Sequence, residues 1–428
     1  MSEFNESKAH ELEKQQEEVK PQYPYEFRLT TNGKISTQGT YNIRVILEND
    51  PKLKDLFKFN DFTQEIDVTR NILELQIKKG TLNDACKVQV SSYIEDKSEY
   101  GHAYFKPNLV LDAITTYARE NHYNPIKNYF DNCAKEWDGK NRLEDILHKY
   151  LGVEKTVFVE WITKLWFVGA VAQIYKPGTK FDQVLDLVGG QGTGKTTFFR
   201  KIAPLGYYTD DLDTFTRKDD LTKSLGVVVV NDDELTATKR TSPEELKKFA
   251  SKQQFKYRLP YGHGVQTFTR MFVFGRTTNE RYYLTDLTGN RRFMPVLCDL
   301  NKQEHHPADK DGLNSDEVAQ LWGEAVNLYK NNEVKLSLNK EDIQRLEDNC
   351  RNFANQSSLE EALQDILENN LIDKDFITNE QLKTQLTRYE FSSWSKISKT
   401  VKDIMLKYGY EPKSKKISGK TQRGYMYV

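Results

Sequence analysis

One stretch constrains this chain more than any other: Gly189-Gly190-Gln191-Gly192-Thr193-Gly194-Lys195-Thr196, set between the apolar Val184-Leu185-Asp186-Leu187-Val188 and the helix-compatible Thr197-Phe198-Phe199-Arg200-Lys201-Ile202. Strand, glycine-rich turn and helix in that order make a phosphate loop. The glycines let successive backbone N–H groups curl round an anion, and the helix N-terminus adds its dipole. In such a loop Lys195 reaches the β- and γ-phosphates of ATP and the Thr196 hydroxyl ligates Mg2+, so residues 189–197, through Thr197, form the expected cofactor-binding run. The alternative is a glycine-rich turn with no ligand, and the strand and helix together weigh against it.

Residues 181 to 300 alternate short apolar strands, Val184–Val188, Val227–Val230 and Met271–Phe274, with helices and loops. That alternation predicts an α/β core with a largely parallel sheet, which we bound at 181–345. A nucleotide site of this kind needs a carboxylate at the end of a neighbouring buried strand. Val227-Val228-Val229-Val230-Asn231-Asp232-Asp233-Glu234 supplies it, because three consecutive acids after four valines are electrostatically costly without a cation or positive partners. Asp233 is assigned to the magnesium shell and Glu234 to water activation, with Asp232 a rival for either role. Asn279, after Met271–Phe274 and Gly275-Arg276-Thr277-Thr278, is the candidate for orienting water against the γ-phosphate, although Asn also commonly caps a turn. Arg291 and Arg292 follow the turn at Gly289-Asn290. Either suits an arginine finger presented to a neighbouring subunit, and for either an intramolecular salt bridge is the alternative.

The formal net charge of −1 means that any grip on nucleic acid comes from local patches. Ser242, Pro243 and Glu245 open a helix as a capping box, and a hairpin with its tip at Pro260–Gly264 follows. Its Lys256, Arg258, Tyr261 and His263 combine charge for phosphates with rings for stacking on bases. From residue 381 to the end, eleven Lys and Arg stand against three Asp and Glu, a local net charge of +8. Lys396, Lys399 and Lys402 recur on one predicted helix, and Lys413, Lys415, Lys416, Lys420 and Arg423 crowd the strands after it. Nucleic acid is the expected partner, a solubilising basic surface the alternative.

At 428 residues the chain is long enough for about three domains, and 37% hydrophobic with 29% charged residues is a globular composition. Residues 1–22 read as a flexible tail and 23–125 as a small α+β domain. In the latter, Leu109, Ala113, Thr116 and Tyr117 share one helical face and Asn124-Pro125 ends the pattern. A mostly helical region follows over 126–180, in which apolar Val157–Tyr175 reads as a buried helix ended by Lys176-Pro177-Gly178. Residues 355–428 read as helices followed by a short hairpin, with Thr378 and Gln381 as a capping box, which is the pattern of a winged helix. No run approaches the roughly 20 apolar residues of a membrane span, and the start of the chain lacks a signal-peptide core, so a cytoplasmic protein without membrane contact is expected. Cys86, Cys133, Cys298 and Cys350 are scattered, which predicts reduced structural thiols and no zinc site.

With these residues in view, the chain resembles the virulence-associated protein E family, AAA+ ATPases of phages and mobile genetic elements related to superfamily 3 helicases. The resemblance rests on Trp137-Asp138-Gly139-Lys140-Asn141-Arg142-Leu143, the phosphate loop, Asp233-Glu234-Leu235, Arg258-Leu259-Pro260-Tyr261-Gly262, Thr277-Thr278-Asn279, Thr288-Gly289-Asn290-Arg291-Arg292-Phe293 and Leu321-Trp322-Gly323-Glu324-Ala325. It implies an AAA+ core behind a helical collar, homo-hexameric rings with ATP sites between subunits, and a hairpin over Lys256–His263 that tracks DNA. It further implies 3′-to-5′ unwinding of single-stranded or forked DNA during replication of a phage or genomic island, with an origin-binding or primase protein as partner. Two departures stand out. Asn231 occupies a position where the family commonly has an acid, and the primase or zinc module of many relatives has no counterpart here, so priming is not expected. An ATP-switched DNA-binding protein without unwinding activity is the competing class. A small-molecule kinase is disfavoured by the paired arginines and the basic tail.

Overall fold

A computed structural model describes residues 22–257, 266–284, 289–310, 312–354, 358–368, 375–389, 391, 394–417 and 420–428. The first unit is helix α1 (Tyr41–Asn49), strands β1 (Phe57–Asn60), β2 (Glu65–Val68) and β3 (Gly80–Thr81), helices α2 (Asp84–Asp96) and α3 (Pro107–Glu120), and β4 (His122–Tyr123). Its sheet runs β3-β2-β1-β4, with β4 parallel to β1, and carries its own apolar core. Beneath α1, the buried Asp50 accepts hydrogen bonds from the Tyr93 and Tyr100 hydroxyls at 2.9 and 2.6 Å. The buried face of α3 is rotated from the expected one. Val110, Ala113, Ile114, Tyr117 and Ala118 point inward while Thr116 is exposed, because the aliphatic residues outcompete a threonine for the core.

A helical layer follows, α4 (Pro125–Glu136), α5 (Ile146–Leu151) and α6 (Val157–Tyr175). The Asn124 side chain caps α4 on the N–H groups of Ile126 and Lys127 at 3.1 and 3.0 Å. α6 is the buried helix expected over these residues, but with 19 residues and a mean hydropathy of 1.4 in its most apolar window it is also long and apolar enough by composition to cross a membrane, against the expectation that no run approaches that length. Here two-thirds of that window is buried within the protein, since α6 lies between the central sheet and α11 (Ser315–Lys330). Trp166 of α6 donates its indole N–H to the Phe274 carbonyl at 3.0 Å, tying helix to sheet.

The next elements are β5 (Val184–Val188), α7 (Lys195–Ile202), β6 (Tyr208–Thr209), α8 (Lys218–Lys223), β7 (Val229–Asp232), α9 (Thr236–Lys239) and α10 (Pro243–Ser251). The hairpin β8 (Gln254–Tyr257) and β9 (Gln266–Thr269), then β10 (Val273–Thr278), β11 (Phe293–Leu297), α11 and α12 (Lys340–Arg351) follow. The mixed α/β centre is a five-stranded, wholly parallel sheet in the order β11-β5-β10-β7-β6. β7 begins two residues later than Val227, and α12 runs past the boundary expected at 345. Its Asn349 donates to the Pro295 carbonyl at 2.8 Å, and Cys350 is buried in the core cluster. All four cysteines are buried free thiols, and burial pushes Cys133 up to about 11 and Cys298 to about 12.

The last unit comprises α13 (Ser358–Glu368), β12 (Phe376–Thr378), α14 (Asn379–Arg388), α15 (Trp394–Lys407), β13 (Tyr410–Ile417) and β14 (Lys420–Tyr427). Its sheet is antiparallel in the order β12-β14-β13, over a separate core. The Thr378–Gln381 capping box is present at the start of α14.

In the middle of the parallel sheet, β10 pairs with β5 so that Arg276 faces Asp186. Both side chains are 1% exposed. Arg276 Nε donates to Asp186 Oδ1 at 2.8 Å, a second guanidinium N–H meets Oδ2, and the Tyr283 hydroxyl donates to that same oxygen. The guanidinium also lies 4.2 Å from the centre of the Phe293 ring. Removing one partner of a buried pair leaves the other charge unsolvated. We therefore expect Arg276→Met to lower stability by about 3–5 kcal/mol in urea unfolding followed by tryptophan fluorescence. An unchanged midpoint would contradict this role.

Candidate functional site

The parallel register brings the C-terminal ends of β5, β7 and β10 to one edge of the sheet, and the predicted site residues gather there. β5 ends at Val188, opposite Thr278 of β10, and the Gly189 N–H donates to the Thr278 carbonyl at 3.0 Å. The loop then turns through Gly192 and Gly194 at φ +83° and +80°, a left-handed backbone that favours glycine. A side chain at Gly190 or Gly192 would meet nothing within 4 Å, so the outer wall of the loop is open. Gln191 is exposed and Thr193 buried, its hydroxyl donating to the Gly190 carbonyl at 3.0 Å.

Lys195, the first residue of α7, is 5% exposed. Its ammonium donates to the carbonyls of Gly189 and Gly190 at 2.7 and 2.9 Å and to Asn279 Oδ1 at 2.9 Å. Burial lowers its pKa from the usual lysine value, against the pull of nearby Glu234 and Asp233. Thr196 and Thr277, from different elements, both donate their hydroxyls to Asp233 Oδ1, at 2.5 and 2.7 Å. The Asn279 amide also donates to Glu234 Oε2 at 3.1 Å, so one side chain links the loop lysine to the candidate base. Glu234 and Leu235 are consecutive left-handed residues, φ 53° and 55°, in the sharp reversal after β7. The Glu234 N–H offsets part of that strain by donating to Thr277 Oγ1 at 3.0 Å.

Asp232 behaves differently from the role it was given as a metal ligand. Its carboxylate accepts from the N–H of Ala237 at 2.8 Å and from both the N–H and hydroxyl of Thr238, at 3.0 and 2.6 Å. Both its oxygens are engaged in capping the turn into α9. Burial raises its pKa despite those bonds. The Asn231 amide donates to the Tyr208 hydroxyl at 3.1 Å and, at 3.4 Å, to Asp233 Oδ1. Thr277 was not anticipated as a site residue. Its signals in the sequence were its position two residues before Asn279 and its place in the Thr277-Thr278-Asn279 block.

The two arginines separate cleanly. Arg292 is held inside its own subunit, with Nε donating to Ser251 Oγ at 2.9 Å and lying 3.3 Å from Asp182 Oδ2. Arg291 is exposed and has no hydrogen-bond or ion-pair partner among the described residues. Phe293 pairs with Val184 and Leu297 with Val188, so both arginines sit at the N-terminal edge of the sheet. At about 3.3 Å per strand residue, the seven steps from Asp182, beside Arg292, to Gly189 span roughly 20 Å.

Among the residues expected to meet nucleic acid, Lys256 is exposed on β8, whose register with β9 pairs it to Thr267. Arg258, Tyr261 and His263 lie outside the described residues, as does the side chain of Lys396 on α15. Lys399 and Lys402 are exposed on α15, and Lys415 and Lys416 are exposed on β13, where Lys415 lies 5.7 Å from the centre of the Phe376 ring.

Other blocks singled out from the sequence turn out to be scaffold. Glu324, fully buried, accepts from the N–H groups of Arg142 and Leu143 at 2.6 and 3.0 Å. Trp322 packs against the tilted rings of Phe130 and Phe167, each ring centre 4.9 Å away, and donates to the Ile202 carbonyl at the end of α7 at 2.8 Å. The block around residue 322 thus supports the phosphate-loop helix from behind.

The donor set fits a magnesium-bound nucleotide. A carboxylate and two hydroxyls are hard oxygen groups of the kind Mg2+ accepts when phosphate supplies its other ligands, and the buried ammonium stands in an open, glycine-lined loop.

A family model described as the virulence-associated protein E-like domain matches residues 130–355, just over half of the chain. No curated protein sequence matches. Solved structures of the NrS-1 C-terminal region are similar in part. An apo structure is 13% identical, covers 87% of this chain and 96% of that one, and superposes with a TM-score of 0.46. An A-form apo structure gives 13%, the same coverages and 0.44.

Asp233 and Asp232 can be told apart by substitution. Asp233→Asn is expected to lower Mg2+-dependent ATP hydrolysis by ~100-fold or more at near-normal stability. Asp232→Asn is expected to lose about 1–2 kcal/mol of stability through its cap and to keep hydrolysis. The reverse pattern would exchange their roles.

Proposed function

Because this chain belongs to the virulence-associated protein E-like family, we propose that it is an ATP-driven DNA motor of the AAA+ class. On this reading it works as a homo-hexameric ring and unwinds forked DNA 3′-to-5′ during replication of a phage or mobile genetic element. The observation that carries the reading is the convergence of Lys195, Thr196, Asp233, Glu234 and Asn279 on one edge of a parallel sheet, with Arg291 unpaired among the described residues on the opposite edge.

Lys195 exchanges the Gly189 and Gly190 carbonyls for the β- and γ-phosphates when ATP binds, at little cost in reorganisation because its stem is already buried against the loop. Thr196 and Asp233 are the protein ligands for Mg2+, which when bound neutralises charge developing on the phosphates. Glu234 takes the proton of the attacking water at a carboxylate oxygen, and Asn279 orients that carboxylate through its amide. Arg291 lies too far from its own subunit's loop to help. In a ring it faces the loop of the next copy and offsets charge there, while Arg292 remains bound to Asp182. That division of labour is the physical reason for a ring.

The terminal unit fits a winged helix, with helix, strand, two helices and a two-stranded hairpin in that order and a three-stranded sheet behind them. Lys399 and Lys402 on α15, with Lys415 and Lys416 on β13, offer exposed cations to the phosphate backbone. The β8–β9 hairpin, from Lys256 onward, is assigned to the single strand in the channel.

A fluorescent forked-duplex assay with ATP, run beside Lys195→Ala and with particle mass measured by mass photometry, tests this function. Displacement by the unaltered protein alone, from particles near six subunits, is the expected result. ATP hydrolysis without displacement would move the function to an ATP-switched DNA-binding protein, and absence of hydrolysis would remove the motor.

A further inference from the structure

The phosphate loop is covered on one side by the segment that follows β11. This strap is anchored along its length to backbone of the core. The Cys298 N–H donates to the Val188 carbonyl at 2.6 Å, that of Asp299 to Leu151 at 2.9 Å, and those of Glu304 and His305 to the Lys149 carbonyl at 2.9 and 3.1 Å. A turn closed by the Asp309 N–H on the His306 carbonyl, at 3.0 Å, then sets His306 and Pro307 directly against the loop. A Cβ on Gly194 would lie 2.7 Å from Pro307 Cδ and 2.9 Å from His306 Nε2. Gly194 is therefore demanded twice, by its left-handed backbone and by the strap.

The ring nitrogens of His306 have fixed roles. Nδ1 accepts the Ala308 N–H at 3.2 Å, so the proton of the neutral imidazole resides on Nε2, which donates to the Gly192 carbonyl at 3.2 Å. An anion-binding loop works only if its N–H groups face the ligand and its carbonyl oxygens do not. Two of those carbonyls, Gly189 and Gly190, are held by Lys195, whose ammonium must leave them to meet phosphate. The Gly192 carbonyl is held by His306 from outside, and that bond is free to persist when a ligand enters.

We infer that His306 is a positioning residue for the polyphosphate of a nucleoside triphosphate: it fixes the Gly192 carbonyl away from the cradle, with Pro307 as the wall that keeps Gly194 in place. The inference rests on the reading of this loop as an ATP site. It assigns His306 to ground-state binding and gives it no part in bond breaking, because its strap follows β11, which flanks β5 on the side opposite β10 and β7, the strands that lead to Asn279 and Asp233.

Steady-state ATP hydrolysis by the full chain, with melting temperature recorded for each variant, tests the assignment. His306→Ala is expected to raise KM for ATP by about three- to tenfold, the value of one neutral hydrogen bond, with kcat nearly unchanged. His306→Gln, whose Nε2 can replace the imidazole donor, is expected to restore KM. Pro307→Ala keeps the hydrogen bond but opens a gap over Gly194, so a smaller rise in KM is expected; it carries the test should His306→Ala fail to fold. Unchanged KM in the folded variants, equal losses in the Ala and Gln variants, or a fall in kcat at constant KM would overturn the assignment while leaving the ATP site standing. An unaltered protein that turns over no ATP would instead remove the reading on which it rests, and the inference with it.

Discussion

The Asp186–Arg276 pair fixes the relation between the two strands on which everything else in the site depends. A buried pair of this kind rarely adds net stability over apolar residues of the same size, because desolvation consumes most of the Coulomb gain. What it does enforce is register. A shift of one residue between β5 and β10 would strand both charges in an apolar layer and displace Asn279 from Lys195 by about 3.3 Å, beyond hydrogen-bond reach. The same register carries β7, so Asp233 comes within reach of Thr196 and Thr277 without any adjustment of its own.

Behind that sheet, the helical layer converts tryptophan packing into positional control. Trp166 and Trp322 each use the indole N–H on a backbone carbonyl, one in β10 and one at the end of α7, while their rings fill the core between. Glu324 adds a buried carboxylate that satisfies two N–H groups in the turn before α5. These contacts tie α7 and β10 to the same helical layer, which is what a site built on tenths of an ångström needs. The paired sequence blocks near residues 140 and 322 are thus two halves of one joint.

Local features were legible in the sequence because they depend on near neighbours. The strand, loop and helix of the phosphate site, the capping boxes at Ser242 and Thr378, and the helices and hairpin of the last unit all follow from patterns of fewer than about ten residues. Asp233 and Glu234 could be singled out from a valine run ending in acids. The distinction between Asp232 and Asp233 could not, since it depends on which way the chain reverses and on left-handed backbone at Glu234 and Leu235. Nor could the division between Arg291 and Arg292, which is decided by Asp182 and Ser251 over a hundred and about forty residues away. Asp186 with Arg276, and Trp322 with Ile202, are joined across 90 and 120 residues, beyond any local pattern. α6 was legible as a buried helix from its apolar run, although a mostly buried helix shares its length and composition with a membrane span.

The central claim is that a catalytic site is completed only by the arginine of a neighbouring copy. It is tested most directly by mixing two inactive proteins, Lys195→Ala and Arg291→Ala, and measuring ATP hydrolysis as their ratio is varied. If the site is shared, each is inactive alone, and mixing restores hydrolysis at the interfaces where an intact Lys195 meets an intact Arg291, about a quarter of them in a random equal mixture. Full activity of Arg291→Ala alone, or no recovery in mixed rings, would contradict the account.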